Sequence, residues 1–263
     1  MTARIIAVAN QKGGVGKTTT VVNLAASLAE QGRRVLIVDL DPQGNATMGS
    51  GIDKSALQRS VYHVLLAEHD IGEVLQPAKQ GGYDVLPANR DLSAAEVELM
   101  QELAREARLK NALEQVAANY DYILIDSPPS LNLLTLNGLV AAQGVLIPMV
   151  CEYYALEGLT DLVNTLRKVR LAVNPKIEIM GLLRTMFDAR SNLSQQVSEQ
   201  LARHFGDKVF DTVIPRNIRL AEAPSHGLPA LIYDRNARGA QAYIALAAEL
   251  TARLEPQTTT TEQ

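Results

Sequence analysis

Six near-continuous apolar runs punctuate the chain: RIIAVAN from Arg4, RVLIVDL from Arg34, YDVLPA from Tyr83, YDYILIDS from Tyr120, GVLIPMV from Gly144 and IEIMGLL from Ile177. Runs this short and rich in Val, Ile and Leu predict strands buried on both faces. Between them lie segments with helical periodicity, so the order alternates strand and helix, which predicts a parallel sheet. The expected architecture is a single-domain α/β fold, a doubly wound and mostly parallel sheet flanked by helices. It spans residues 1–254, and the polar stretch EPQTTTTEQ, residues 255–263, reads as a disordered C-terminal tail. The Ala-, Glu-, Leu- and Arg-rich segment from Leu92 to Asn119 reads as one long surface helix.

Composition narrows the classes. With 263 residues and 47% hydrophobic content the chain can bury a substantial core. No apolar run reaches the length of a membrane span, and the first strand leads straight into a glycine-rich loop, so neither a membrane anchor nor a cleavable leader is expected and the location reads as cytoplasmic. The lone cysteine, Cys151, excludes an intrachain disulfide and a Cys-ligated cluster, and reads as a small buried hydrophobe. The net charge of −4 is unevenly spread. Thr160 to Ala240 holds 12 Lys+Arg against 8 Asp+Glu, and the rest of the chain 13 against 21. A basic face is therefore compatible with an acidic total.

Chemistry concentrates after the first strand, in QKGGVGKTTT, Gln11 to Thr20. The following GKTTTVVNLAASLAEQG reads as an amphipathic helix closed by Gly32, so the context is strand, loop, helix. That is the setting of a phosphate-binding loop. Gly13, Gly14 and Gly16 let backbone N–H groups turn toward phosphate oxygens, Lys17 neutralises the phosphates and the Thr18 hydroxyl is a Mg²⁺ ligand. Gln11 stands where the common pattern has its first glycine, and a second lysine, Lys12, sits inside the loop. Two further runs end in acids, VLIVDLDPQGN with Asp39 and Asp41, and YILIDSPP with Asp126. Ligands in such sheets bind beyond the carboxyl ends of the strands, so these acids converge on the loop. Asp126 reads as holding Mg²⁺ through water, and Asp41 as orienting or activating the attacking water.

The segments KGGVGKTTT, VDLDPQGN, YILIDSPPS, MFDARSN and VIPRNIRLAEAPSHGLPALIYDRNARGAQAY together resemble the ParA/Soj chromosome and plasmid partition ATPases, of the deviant Walker A class that also contains MinD. The resemblance runs from Arg4 to about Leu254. It implies an ATPase that binds ATP and Mg²⁺ through Lys12, Gly13, Gly14, Val15, Gly16, Lys17, Thr18 and Thr19, with Lys12, Lys17 and Asp41 as its catalytic groups. It further implies that ATP drives a homodimer in which Lys12 reaches the phosphates held by the partner subunit. Gly13 is then the position where a side chain obstructs the second subunit. Glu152 matches an acid that contacts the partner's ribose, and Pro215 and Asn217 match adenine-side contacts. The pair binds double-stranded DNA without sequence preference, with Arg190 and Arg219 at the matching positions and Arg216 nearby, and a ParB-like partner stimulates hydrolysis. The implied location is cytoplasmic and nucleoid-associated. No N-terminal helix-turn-helix precedes the first strand, so operator repression is not expected. A MinD-like membrane-recruited ATPase is the alternative, but the end ARLEPQTTTTEQ is broken by Pro256 and lacks a basic apolar face. A nitrogenase-like iron protein lacks its second cysteine here, and an amidoligase of the same superfamily is a weaker reading.

Overall fold

The computed structural model describes residues 3–254, so the tail expected to be disordered lies outside the described residues. Eight strands form one sheet in the order β3-β4-β2-β5-β1-β6-β7-β8. They are β1 (Arg4–Val8), β2 (Val35–Asp39), β3 (Gln76–Ala78), β4 (Tyr83–Leu86), β5 (Tyr122–Asp126), β6 (Gly144–Val150), β7 (Glu178–Phe187) and β8 (Val209–Pro215). The six predicted runs are β1, β2, β4, β5, β6 and β7. The edge strands β3 and β8 are additions: β3 is three residues long and β8 is interrupted by Asp211 and Thr212, so neither carries a continuous apolar run. All neighbouring pairs are parallel except β3 with β4, which makes the sheet mostly parallel as expected.

Two cores result from the two-residue repeat of the strands. On β1, Ile6 and Val8 enter one core and Ala7 the other; on β5, Tyr122 and Leu124 oppose Ile123 and Ile125; on β2, Val35 and Ile37 oppose Leu36 and Val38. The first core is closed by α1 (Lys17–Glu30) and, at the other end of the chain, by a long helix over Arg238–Leu254, through Leu24, Leu28, Tyr243, Leu246 and Leu250. The short helix α2 (Asn45–Gly49) follows β2 on this side. The opposite core takes Leu134, Leu139, Leu162 and Leu166 from helices over Leu133–Ala141 and Ala155–Ala172. The central strands β2 and β5 are buried on both faces along their whole length, which is why their runs are continuous rather than alternating.

The long helix expected from Leu92 to Asn119 is instead broken. Helical turns cover Leu92–Glu98 and Arg108–Glu114, with short 3₁₀ turns at Leu99–Gln101, Arg105–Ala107 and Ala117–Asn119. Leu92, Ala95 and Leu99 are buried before the break and Leu109, Ala112 and Leu113 after it, but Leu103 between them is 89% exposed. Ala104 adopts a left-handed φ of 49°. Buried Asn137 takes up the freed backbone groups, its Oδ1 accepting from Leu109 N at 3.1 Å and its Nδ2 donating to Arg105 O at 2.8 Å. A single asparagine on another helix thus stabilises a break that periodicity alone does not mark.

Candidate nucleotide-binding site

Sheet order places β5 between β2 and β1, and the register aligns Asp39, Asp126 and Val8 at their carboxyl ends. The glycine-rich loop leaves β1 at this edge. Asn10 anchors its start, Nδ2 donating to Pro148 O at 2.8 Å and Oδ1 accepting from Lys12 N at 3.0 Å. At its end Gly14 and Gly16 hold left-handed φ values of 72° and 85°, which disfavour any side chain there. Thr20 N donates to Gly16 O at 2.9 Å and opens α1. Val15 is buried and its carbonyl accepts from Thr185 Oγ1 at 2.8 Å, which ties the loop to β7.

The loop borders a cavity of about 480 Å³. Gly13, Gly14, Gly16, Lys17, Thr18, Thr19 and Asp41 line one side, and Pro215, Arg216 and Asn217 the other. The structure therefore brings together all of these expected residues. Asn217 also accepts from Arg219 N through its Oδ1 at 3.0 Å, leaving its amide NH₂ as the free end. Asn45, Thr185 and Met186 join the lining without having been foreseen. Met186 holds a left-handed φ of 48°, rare for an unbranched side chain, and its strain is stored beside the cavity. Nothing in a Thr-Met pair closing an apolar strand signals this.

The two lysines differ in environment. Lys17 is buried and donates to Lys12 O at 3.2 Å; burial pulls its ammonium below the ordinary value, while Asp126 and Asp41 act the other way. Lys12 does not line the cavity; its side chain is 48% exposed and paired with Glu152 at 2.5 Å. Thr18 Oγ1 donates to Asp126 Oδ2 at 2.7 Å. Asp126 Oδ1 is buried with no hydrogen-bond partner, and burial, then Asp39, push this carboxyl well above the carboxylate range. An orphaned buried carboxylate oxygen beside a threonine hydroxyl fits a hard divalent cation that brings its own waters. Asp39 is satisfied instead: its Oδ2 accepts from Thr47 N at 2.9 Å and Oγ1 at 2.7 Å, its Oδ1 from Asp41 N at 3.1 Å, and burial lifts it to about 6. Asp41 Oδ1 accepts from Gln43 N at 2.9 Å. Cys151 is buried, its thiol pushed up to about 11, in keeping with an inert hydrophobe.

The arginines form no bare basic face. Arg190 is held by Asp188, Nε to Oδ1 at 3.1 Å, and Arg219 by Glu222 at 2.8 Å and Asp234 at 3.2 Å. Arg216 is exposed at the mouth of the cavity.

The AAA domain family matches residues 3–179. The sporulation initiation inhibitor protein Soj of Bacillus subtilis is 55% identical over 249 residues, 95% of this chain and 98% of that protein. The chromosome partitioning protein ParA of Caulobacter vibrioides is 50% identical over 252 residues, 95% and 94% of the two chains. Among solved structures, a cobyrinic acid a,c-diamide synthase of Mycobacterium smegmatis, crystallised with an ATP analogue and magnesium, superposes with a TM-score of 0.85 at 39% identity, covering 97% and 96% of the chains. With the partition proteins aligned at higher identity over the same span, and with a phosphate loop, two carboxylates and a cavity at one sheet edge, the chain belongs to the ParA/Soj family of chromosome-partitioning ATPases.

Proposed function

We propose that the protein is an ATP-driven DNA-segregation switch. ATP and Mg²⁺ occupy the cavity, two copies close face to face over their nucleotides, and the pair binds double-stranded DNA without sequence preference until hydrolysis, stimulated by a ParB-like partner, releases it. The observation that carries this reading is the contrast between the two loop lysines, Lys17 buried and lining the cavity, and Lys12 exposed and outside its lining. A lysine that serves its own nucleotide belongs inside; one that serves a facing subunit belongs outside.

Lys17, with backbone N–H groups of the glycine loop and Thr19, would hold the phosphates, Pro215 and Asn217 the adenine side, and Thr18 with Asp126 the metal. When bound, magnesium neutralises charge on the phosphates. Asp41, with Oδ1 fixed by Gln43 N, has its second oxygen available to orient and accept a proton from the attacking water. Glu152 releases Lys12 on pairing and meets the partner's ribose. Pairing doubles the phosphate contacts made by Arg190, Arg216 and Arg219, and non-specific affinity rises steeply with that number. The setting is the cytoplasm, on the nucleoid. Among the described residues no helix is long and apolar enough to cross a membrane. Sedimentation with ADP and with ATP, each with and without random-sequence DNA, tests the reading: a heavier species that retains DNA more strongly with ATP than with ADP is expected, and equal retention with both nucleotides refutes the switch.

A further inference from the structure

Basic charge left without partners collects at the end of the sheet away from the nucleotide. The crossover helix over Ala155–Ala172 starts beyond the carboxyl end of β6 and returns to the amino end of β7. Its apolar stripe, Leu159, Leu162, Leu166 and Val169, is buried. Its last turns present Arg167, Lys168 and Arg170 outward, and Lys176 follows in the connection. Residues 164–177 contain no acid. Among the described residues none of these four side chains has an ion pair or hydrogen bond, in contrast to Arg190 and Arg219.

A concavity of about 350 Å³ lies alongside, rimmed by Arg167, Arg170 and Lys208. Its one acid is Glu178, 3.8 Å from Lys208 and more than half exposed. Lys208 precedes β8, which is parallel to β7, so all five cations sit at the amino ends of these strands. Arg190 follows the carboxyl end of β7, and ten residues of strand separate the two ends by roughly 30 Å.

We propose that Arg167, Lys168, Arg170, Lys176 and Lys208 form a second phosphate-contact surface for duplex DNA, remote from the nucleotide and equally present in the single subunit and the pair. The inference rests on the DNA-segregation reading for its choice of polyanion. Charge complementarity supports it: long, exposed cations, four of them unpaired and Lys208 held only by Glu178 at 3.8 Å, suit non-specific phosphate contact, whereas closely ion-paired arginines must first exchange their carboxylates. A lipid surface fits less well, because the apolar stripe of this helix is spent in the core and Leu171 and Val173 alone remain exposed there. The surface gives the ADP-bound subunit a weak, salt-sensitive grip on DNA, to which pairing adds the arginine face.

The test is a salt series of binding to a random-sequence duplex, with ATP and with ADP, comparing the wild type with Arg167→Gln/Lys168→Gln/Arg170→Gln and with Lys176→Gln/Lys208→Gln. These side chains lie outside the core, and melting temperature checks the fold; the two variants alter different elements, so one reports if the other misfolds. Each lost contact is expected to reduce the slope of log K against log salt by about 0.9, and affinity roughly eightfold at 0.1 M salt, in both nucleotide states. ATP-dependent pairing stays unchanged. Wild-type slopes in both variants overturn the proposal, as does a loss seen only with phosphatidylglycerol vesicles. Retention that requires ATP and is indifferent to these glutamines sinks this surface and leaves the switch standing. Equal retention with ADP and ATP that the glutamines weaken sinks the switch and leaves the surface.

Discussion

Lys12 Nζ lies 2.5 Å from Glu152 Oε2, joining the phosphate loop to the turn after β6 across 140 residues of sequence. The two side chains are 48% and 54% exposed, so the pair is screened and contributes under about 1 kcal/mol. A weak internal partner leaves Lys12 free to exchange it for phosphates on a facing subunit. Glu152→Gln is therefore expected to leave urea stability within about 0.5 kcal/mol of the wild type. Lys12→Ala is expected to keep ATP binding and lose ATP-dependent pairing in analytical ultracentrifugation; normal pairing without this amine contradicts the proposed role.

Gly13 differs from the other loop glycines. A Cβ built there meets nothing within 4 Å and the backbone is not left-handed, whereas Gly14 and Gly16 hold positive φ. The isolated subunit thus has no need for glycine at position 13, while a closely approaching partner would. Gly13→Val is expected to melt within a few degrees of the wild type, bind ATP, and fail to pair. A variant that pairs normally shows that the partner does not come close here.

Much of this site was legible in the sequence because it follows chain-local chemistry. Glycine spacing, a lysine and threonine at the helix start, and acids ending apolar runs all express constraints within a few residues. What stayed hidden depends on contacts across the fold. Thr185 reaches Val15 over 170 residues, and Met186 is strained by its position at a sheet irregularity, yet neither residue type is unusual in a strand. The break in the segment after Leu92 is hidden for the same reason: Asn137, far along the chain, supplies the hydrogen bonds that make it stable. Edge strands β3 and β8 lack the double-sided burial that made the central strands conspicuous.

Lys17 is the buried cation of the cavity, and the charges of Asp126 and Asp41 favour its ammonium form against burial. Removing one partner of a buried charge-assisted contact costs about 2–5 kcal/mol. Lys17→Ala is expected to weaken ATP binding by roughly 30-fold to several thousand-fold on that scale. Isothermal titration in magnesium measures it, and a change under about threefold would remove Lys17 from the phosphate site.

Asp41 lines the cavity but is held through one oxygen only. General-base assistance contributes typically 10²–10⁴-fold. Asp41→Ala is therefore expected to lower kcat by about that factor with ATP affinity changed less than about threefold, and to prolong DNA retention with ATP. Parallel losses in kcat and in ATP affinity would mark Asp41 as a binding group instead.

Asp39 makes the site pH-sensitive in a direction opposite to that of an ordinary salt-bridged acid. Burial lifts its carboxyl from 3.8 to about 6 despite three hydrogen bonds, and Asp126 beside it is raised as well. Between those two values the folded chain binds the proton more tightly than the unfolded chain, so this group adds stability as pH falls from about 6 toward 4 and penalises the fold fully above 6. Asp39→Asn removes the titration. It also sets an amide NH₂ either against both Thr47 donors or against Asp41 N, so the variant loses hydrogen bonds at every pH. Urea unfolding of both proteins at pH 7, 6 and 5 separates the effects, because the other carboxylates largely cancel in the difference. The advantage of wild type over Asp39→Asn is expected to widen on acidification. A difference that stays flat or narrows would mean that Asp39 is not held as a buried, proton-seeking carboxylate.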